Sequence, residues 1–398
     1  MDGYRIESDF IGEKKIPADA YYGINSVRGH ENFNISEDKP ESILIKAVAW
    51  VKKACARANL DCGLIDKKIA EAVCEACDKL ADGGYDNQFI VNSIQGGGGT
   101  SFNMNANEVL ANLALEILGH NKGEYTLVNP LAHVNMSQST NDVYPTAINL
   151  ALILKLATLR GELCETRDIL DAKSRELGEL IKMGRTHLNA AAPISFGQSF
   201  DAYACMLARD LERIDTAADA LRVVPLGGTV IGTGYKASPK YCECVITRLR
   251  EISGLDIQAC ANLADGIQNA DNYAALSSAL KICALNLSKL ASDLRILSSD
   301  IKYGIGDITL TPRQLGSSII EHKVNPVMAE LINQAAFLVC GHDSAVSMAA
   351  NAGQLELNVF KPVIAHALFK SIDMTANALN LFNKFCLCAD IKYHPRGL

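Results

Sequence analysis

Four short segments concentrate hydroxyls, amides and glycines between strongly apolar stretches: GTSFNMN at 99–105, SQSTND at 137–142, GRTHLN at 184–189 and GSSIIEHKVNP at 316–326. Small hydroxyls and exposed backbone amides hold carboxylates by directed hydrogen bonds, and Lys323 adds a charge to that set. Taken singly, each segment also reads as a helix cap or tight turn, and Ser139 to Asp142 would be an N-cap as often as a site. Four in one chain argue for a site. His187, inside Gly-Arg-Thr-His, is the functional candidate among eight histidines, whereas Arg185 reads as an ion-pair partner that shapes its loop. Cys74 and Cys77 form a CxxC in a helix-like run, but no second pair stands at zinc-site spacing, so no metal is expected. The glycine run at 96–99 lacks the Lys-Ser/Thr of a phosphate loop, so no nucleotide is expected either.

These segments need rigid elements behind them. Residues 1–140 read as a mixed, mainly helical N-terminal domain, with short helix-like runs parted by Gly, Asn and Pro. From Asn141 onward the pattern changes to long helical periods. The run 142–181 places Ile148, Ala151, Leu152, Leu156, Leu159 and Leu163 three to four apart. Further runs cover 196–221 and 267–301, then follow Pro326 and Pro362. This spacing predicts an all-α fold, with a central long-helix bundle over 141–390, interrupted by a loop at 313–326, and a short tail at 391–398. Stretches 184–197, 227–234 and 304–326 do not fit helices, and long non-helical insertions in a bundle tend to be functional.

Composition narrows the function. The 398 residues are 48% hydrophobic but only 6% aromatic, with Trp50 the single tryptophan, so the apolar content is aliphatic and suits packed helices. A net charge of -7 without a Lys/Arg run argues against nucleic acid. No stretch approaches the ~18 consecutive apolar residues of a membrane helix, and MDGYRIESDF shows no secretory signal. Thirteen scattered cysteines read as reduced thiols, which points to the cytoplasm.

The GSSxxxxKxNP pattern at 316–326 resembles the signature loop of the aspartase/fumarase superfamily, and the other three segments match that family's regions in the same order. The similarity runs from Arg5 to about Phe385. QGGGGTS at 95–101, LVNP at 127–130 with HVN at 133–135, and QSTND at 138–142 look like the aspartase branch rather than the fumarases. The resemblance implies an elongated multi-helix bundle, assembled as a homotetramer around a central helical core, with each active site shared between subunits. It implies reversible anti elimination of ammonia from L-aspartate to give fumarate, with no cofactor. Ser317, on a mobile loop, would be the general base. Its alkoxide is expensive, so backbone amides and Lys323 would have to depress its pKa. Lys323 and Asn325, with Ser318 nearby, would grip the carboxylate that takes up charge in the aci-carboxylate dianion. Thr100, Ser139 and Thr140 would hold the other carboxylate, and Thr186, Asn141 and His187 would surround the amino group or a carboxylate oxygen. Glu330 falls where the family places a carboxylate that pairs with the histidine.

Three features depart from that pattern. The signature loop carries Ile320-Glu321-His322-Lys323 where relatives read Met-Pro-small-Lys. Glu321 thus sets a negative charge near the carboxylate site, worth about 2 kcal/mol of repulsion at ~8 Å and an effective dielectric of ~20. Asn189-Ala190 replaces Gln-Asp after the histidine. The family's small C-terminal helical domain is not expected after residue 390. Two further readings therefore stay open: a lyase of the same superfamily acting on another substituted succinate, and an impaired paralogue serving as a scaffold.

Overall fold

The computed structural model describes residues 3–395, so the last three residues of the expected 391–398 tail lie outside the described residues. The chain is mostly helical. It opens with a hairpin, β1 (Tyr4–Asp9) and β2 (Gly12–Pro17), followed by α1 (Ile24–Asn32), α2 (Ser42–Asp61), α3 (Lys67–Ala81) and α4 (Thr100–Ile117). Then come α5 (Thr140–Glu176), a second hairpin of β3 (Ile181–Thr186) and β4 (Asn189–Ser195), and α6 (Phe196–Ala220). Two-residue strands β5 (Val223–Val224) and β6 (Gln258–Ala259) pair in parallel around α7 (Pro239–Ser253). The remainder is α8 (Leu263–Gln268), α9 (Asp271–Leu297), β7 (Ile308–Thr309), α10 (Val327–Asn351), α11 (Lys361–Phe382) and β8 (Lys392–Tyr393), with β7 and β8 antiparallel.

The all-α expectation holds, with local differences. The first 140 residues contain a true hairpin and helices of up to 20 residues. The third expected run corresponds to α9 alone, because the extended backbone of Asn269 ends the short, Asn262-capped α8 before it. α7 escapes the periodicity reading, although its buried residues Tyr241, Val245 and Leu249 are spaced four apart. α5 spans 37 residues, about 55 Å at 1.5 Å per residue.

Two compact units emerge, each from three separate stretches of chain. One takes residues up to 154 with 219–274 and 345–367; the other takes 155–218, 275–344 and 368 onward. Helices α5, α6, α9, α10 and α11 continue across these divisions. In the first unit α4 is buried from Phe102 to Leu115, and its polar side chains organise the loops around it. Glu108 accepts hydrogen bonds from the amides of Gly23, Asn25 and Ser26 at 2.8–3.0 Å. Asn112 receives the Gly123 amide and donates to the Tyr21 carbonyl, both at 2.8 Å. In the second unit Asp343 joins α10 to α9 by accepting from Ser277 and Lys281. These contacts leave Ile282 and Leu285 of α9 and Phe337 and Leu338 of α10 exposed, Phe337 at 67%.

Candidate active site

The first unit gathers Thr100, Ser139, Thr140 and Asn141. Gly97, Gly98 and Gly99 all have positive φ and swing the chain into α4, where Thr100 is the first helical residue and its hydroxyl donates to the Gly97 carbonyl at 2.8 Å. Gly99 is required twice over: its φ is +97, and an added Cβ would lie 2.3 Å from the Tyr144 ring. Ser139 and Asp142 form a reciprocal cap on α5. The Ser139 Oγ accepts the Asn141 amide at 3.2 Å, and Asp142 Oδ1 accepts the Ser139 amide at 2.9 Å. Asn103 of α4 donates to the Thr140 hydroxyl at 3.1 Å, so the first turns of the two helices adjoin. Two helix N-termini together favour an anion, because the positive ends of both helix dipoles meet here.

Two buried ionisable groups outside the predicted set of substrate-binding residues hold this platform. Asp142 also accepts the amides of Gly227 and Thr229 at 3.1 and 2.9 Å, and Asn141 donates to the Val230 carbonyl at 2.8 Å. The non-helical stretch 227–234 is thereby fastened to the start of α5. Burial pushes the Asp142 carboxyl up to about 6, against the pull of those three amides and Lys52. Lys52 is fully buried in α2, and its Nζ donates to Asn135 and Gln138 at 2.9 Å each. Burial lowers its amine to about 8. Its sequence signal was the buried stripe Val48, Lys52, Cys55 and Asn59, spaced three to four apart.

The second unit carries the remaining candidates. Thr186 and His187 sit exposed at the tip of the β3–β4 hairpin, where Thr186 pairs with Asn189. The two turn residues, His187 and Leu188, have φ of 55 and 62. Two-residue hairpin turns with positive φ at both positions normally use Asn-Gly, so the His-Leu pair holds a backbone conformation that neither residue favours. Arg185 makes a short bidentate pair with Asp307, at 2.5 and 3.2 Å, which fixes the hairpin to the loop before β7. That matches the structural role expected of it.

The loop at 316–326 closes on itself. The Gly316 amide donates to the Lys323 carbonyl at 3.0 Å, and Asn325 Nδ2 donates to the Gly316 carbonyl at 2.8 Å. A Cβ on Gly316 would sit 2.5 Å from the Lys323 oxygen, so only glycine allows this closure. Above it, the Ser317 Oγ accepts the amides of Ile319 and Ile320 at 3.2 and 3.0 Å. Lys323, Asn325 and Glu330 share the wall of a cavity of about 810 Å³ with His322 and Arg295, an additional cation not singled out in the sequence. Ser317 and Ser318 are not among its lining residues. Glu321 and Lys323 are both exposed. Among the described residues, no hydrogen bond or ion pair joins His187 to Glu330.

Residues 12–341 match the model of a family described as lyase. An aspartate ammonia-lyase from Bacillus subtilis is 48% identical, over 96% of this chain and 81% of its own. Another, from Helicobacter pylori, is 47% identical over 99% and 86%. Among solved structures, a fumarate lyase:delta crystallin from Brucella melitensis superposes with a TM-score of 0.96 at 43% identity, covering 98% of this chain and 85% of that one. A class II fumarase from Schistosoma mansoni gives 0.95 at 30%, with the same coverages.

Proposed function

The chain belongs to the lyase family, on the aspartase side of the aspartase/fumarase superfamily, and from that premise we propose that it converts L-aspartate to fumarate and ammonia. It is a carbon–nitrogen lyase. The observation that carries the mechanistic reading is the Ser317 oxygen, which receives two backbone amides and is therefore prepared for negative charge. In this reading Ser317 removes the proton beside one carboxylate. Lys323, Asn325 and Ser318 hold that carboxylate as it becomes a dianion, while Thr100, Ser139 and Thr140 hold the other on the paired helix starts. Thr186, Asn141 and His187 surround the departing amino group or a carboxylate oxygen, and Glu330 would set the tautomer of a histidine contributed by another copy. Asn325 gives one amide hydrogen to the Gly316 carbonyl, which leaves its second N–H for the dicarboxylate.

The candidate groups divide between the two units of the chain, and we read each site as completed by other copies in a cytoplasmic homotetramer. The unpartnered apolar side chains Ile282, Leu285, Phe337 and Leu338 supply a surface suited to a second copy of the same helices. The test is the ultraviolet absorbance of fumarate, with L-aspartate or L-malate as substrate and Ser317→Ala as control. Fumarate from aspartate that disappears in the control supports the reading. Activity on malate alone, or on neither substrate by a well-folded oligomer, overturns it in favour of a different substituted succinate or a scaffold.

A further inference from the structure

All the cysteines are free, and two of them are placed to react with one another. Cys62 caps the C-terminus of α2, Cys244 lies in the second turn of α7, and their sulfurs are 4.0 Å apart. The surroundings hold this approach. Lys240, Cys244 and Arg248 are spaced four apart and share one face of α7. On either side of Cys244 that face grips the residue before Cys62: Lys240 Nζ donates to the Asp61 carbonyl at 3.1 Å, and Arg248 Nε donates to its carboxylate at 2.7 Å. A disulfide needs the sulfurs to close by about 2 Å, within the sweep of two Sγ atoms about their χ1 bonds.

We propose that Cys62 and Cys244 are a reversible dithiol–disulfide pair, a modification site whose oxidant is a small disulfide such as glutathione disulfide. Cys62 is the entry thiol because it sits at a helix end between exposed Asp61 and Gly63. Its thiolate attacks glutathione disulfide, forming a Cys62–glutathione bond and expelling one glutathione thiolate. The Cys244 thiolate then attacks the Cys62 sulfur, forming the Cys62–Cys244 bond and expelling the second glutathione. The two protein thiols lose two electrons and two protons, and one glutathione disulfide becomes two glutathione molecules. Burial, reinforced by Cys62, raises the Cys244 thiol to about 11, so its attack depends on the proximity of the two sulfurs rather than on thiol acidity.

The linkage would tie α2 to α7 across 182 residues of chain. It lies behind the candidate site, since the Cys242 thiol donates to the Gly227 carbonyl at 3.3 Å and the Gly227 amide holds Asp142. Oxidation therefore braces the platform. The experiment equilibrates full-length protein with glutathione disulfide, alkylates the remaining thiols and maps tryptic peptides by mass spectrometry. We expect a Cys62–Cys244 peptide pair, two fewer than the 13 titratable thiols, and a Tm raised by about 5 °C or more, all reversed by dithiothreitol. Cys244→Ala should stop at a glutathione adduct on Cys62 with no rise in Tm, and Cys62→Ala should give neither product. Free thiols or two separate adducts in the unmutated protein would overturn the proposal. So would the same Tm rise in Cys244→Ala.

Discussion

The Oγ of Ser317 accepts the backbone amide of Ile320 at 3.0 Å, with Ile319 contributing a second amide from the same turn. Hydrogen bonds to a charged acceptor are worth about 1.5–3 kcal/mol each, so the pair offsets part of the cost of a serine alkoxide. Ser317→Ala should lower kcat by about 10²- to 10⁴-fold, the usual contribution of a positioned base. Stability should change by less than about 0.5 kcal/mol, because the loop is solvent-exposed. Steady-state fumarate assays beside thermal unfolding separate the two effects.

The Arg185–Asp307 pair is the anchor of the histidine hairpin, and the Asp307 side chain is only 1% exposed. Asp307→Ala strands the Arg185 guanidinium in a poorly hydrated place, and breaking such a pair costs about 3–5 kcal/mol. A markedly lower urea midpoint is expected, together with a loss of kcat that Thr186→Ala does not deepen. Full activity in Asp307→Ala would mean that the hairpin holds its position without this anchor.

Asp142 makes a signed prediction about pH. Its folded pKa, about 6, lies above the unfolded value of 3.8. Its contribution is therefore fully present below that lower value and is lost as pH rises through about 6, an amount near 3 kcal/mol. Urea titrations across this window should show that component in the unmutated chain and not in Asp142→Asn. Parallel pH profiles for the two proteins would assign the titration to another group.

His187→Asn separates the turn from the imidazole. Asparagine tolerates the left-handed backbone at φ 55 better than most residues do, so unfolding temperature should hold or rise slightly. Activity should fall by about 10²-fold as the ring is lost. A variant that folds normally and turns over at the original rate would remove His187 from the reaction.

If separate copies complete each site, two inactive variants can repair one another. Ser317→Ala and His187→Asn, unfolded together and refolded as mixed oligomers, should recover roughly a quarter of native activity when pairing is random. Recovery of none would place both residues in sites formed by a single chain.

How much was legible depended on whether chemistry and local structure demand the same residue. Thr100, Ser139 and Thr140 stood out because the starts of helices use hydroxyls for the same reason that carboxylate sites do. Lys52 was hidden by Lys53, its neighbour, which faces outward to pair with Asp78 and makes the dipeptide look solvated. The strained tip at His187 and Leu188 could not be read from residue type, since neither favours a left-handed turn. Asp307 was a lone acid in a loop until Arg185 was seen beside it.

The interleaving of the chain also constrains how the protein is made. Neither unit is complete until residues beyond 344 have been synthesised, because each draws on part of α11 as well as on earlier stretches. Nascent chains cannot mature one domain at a time on the ribosome, as multidomain proteins commonly do. The platform of α4 and α5 is translated early and must wait, with apolar helices uncovered, for its last structural partners to emerge. That interval is when chaperone capture should be strongest, and a premature stop before α11 should yield an aggregate rather than a smaller folded protein.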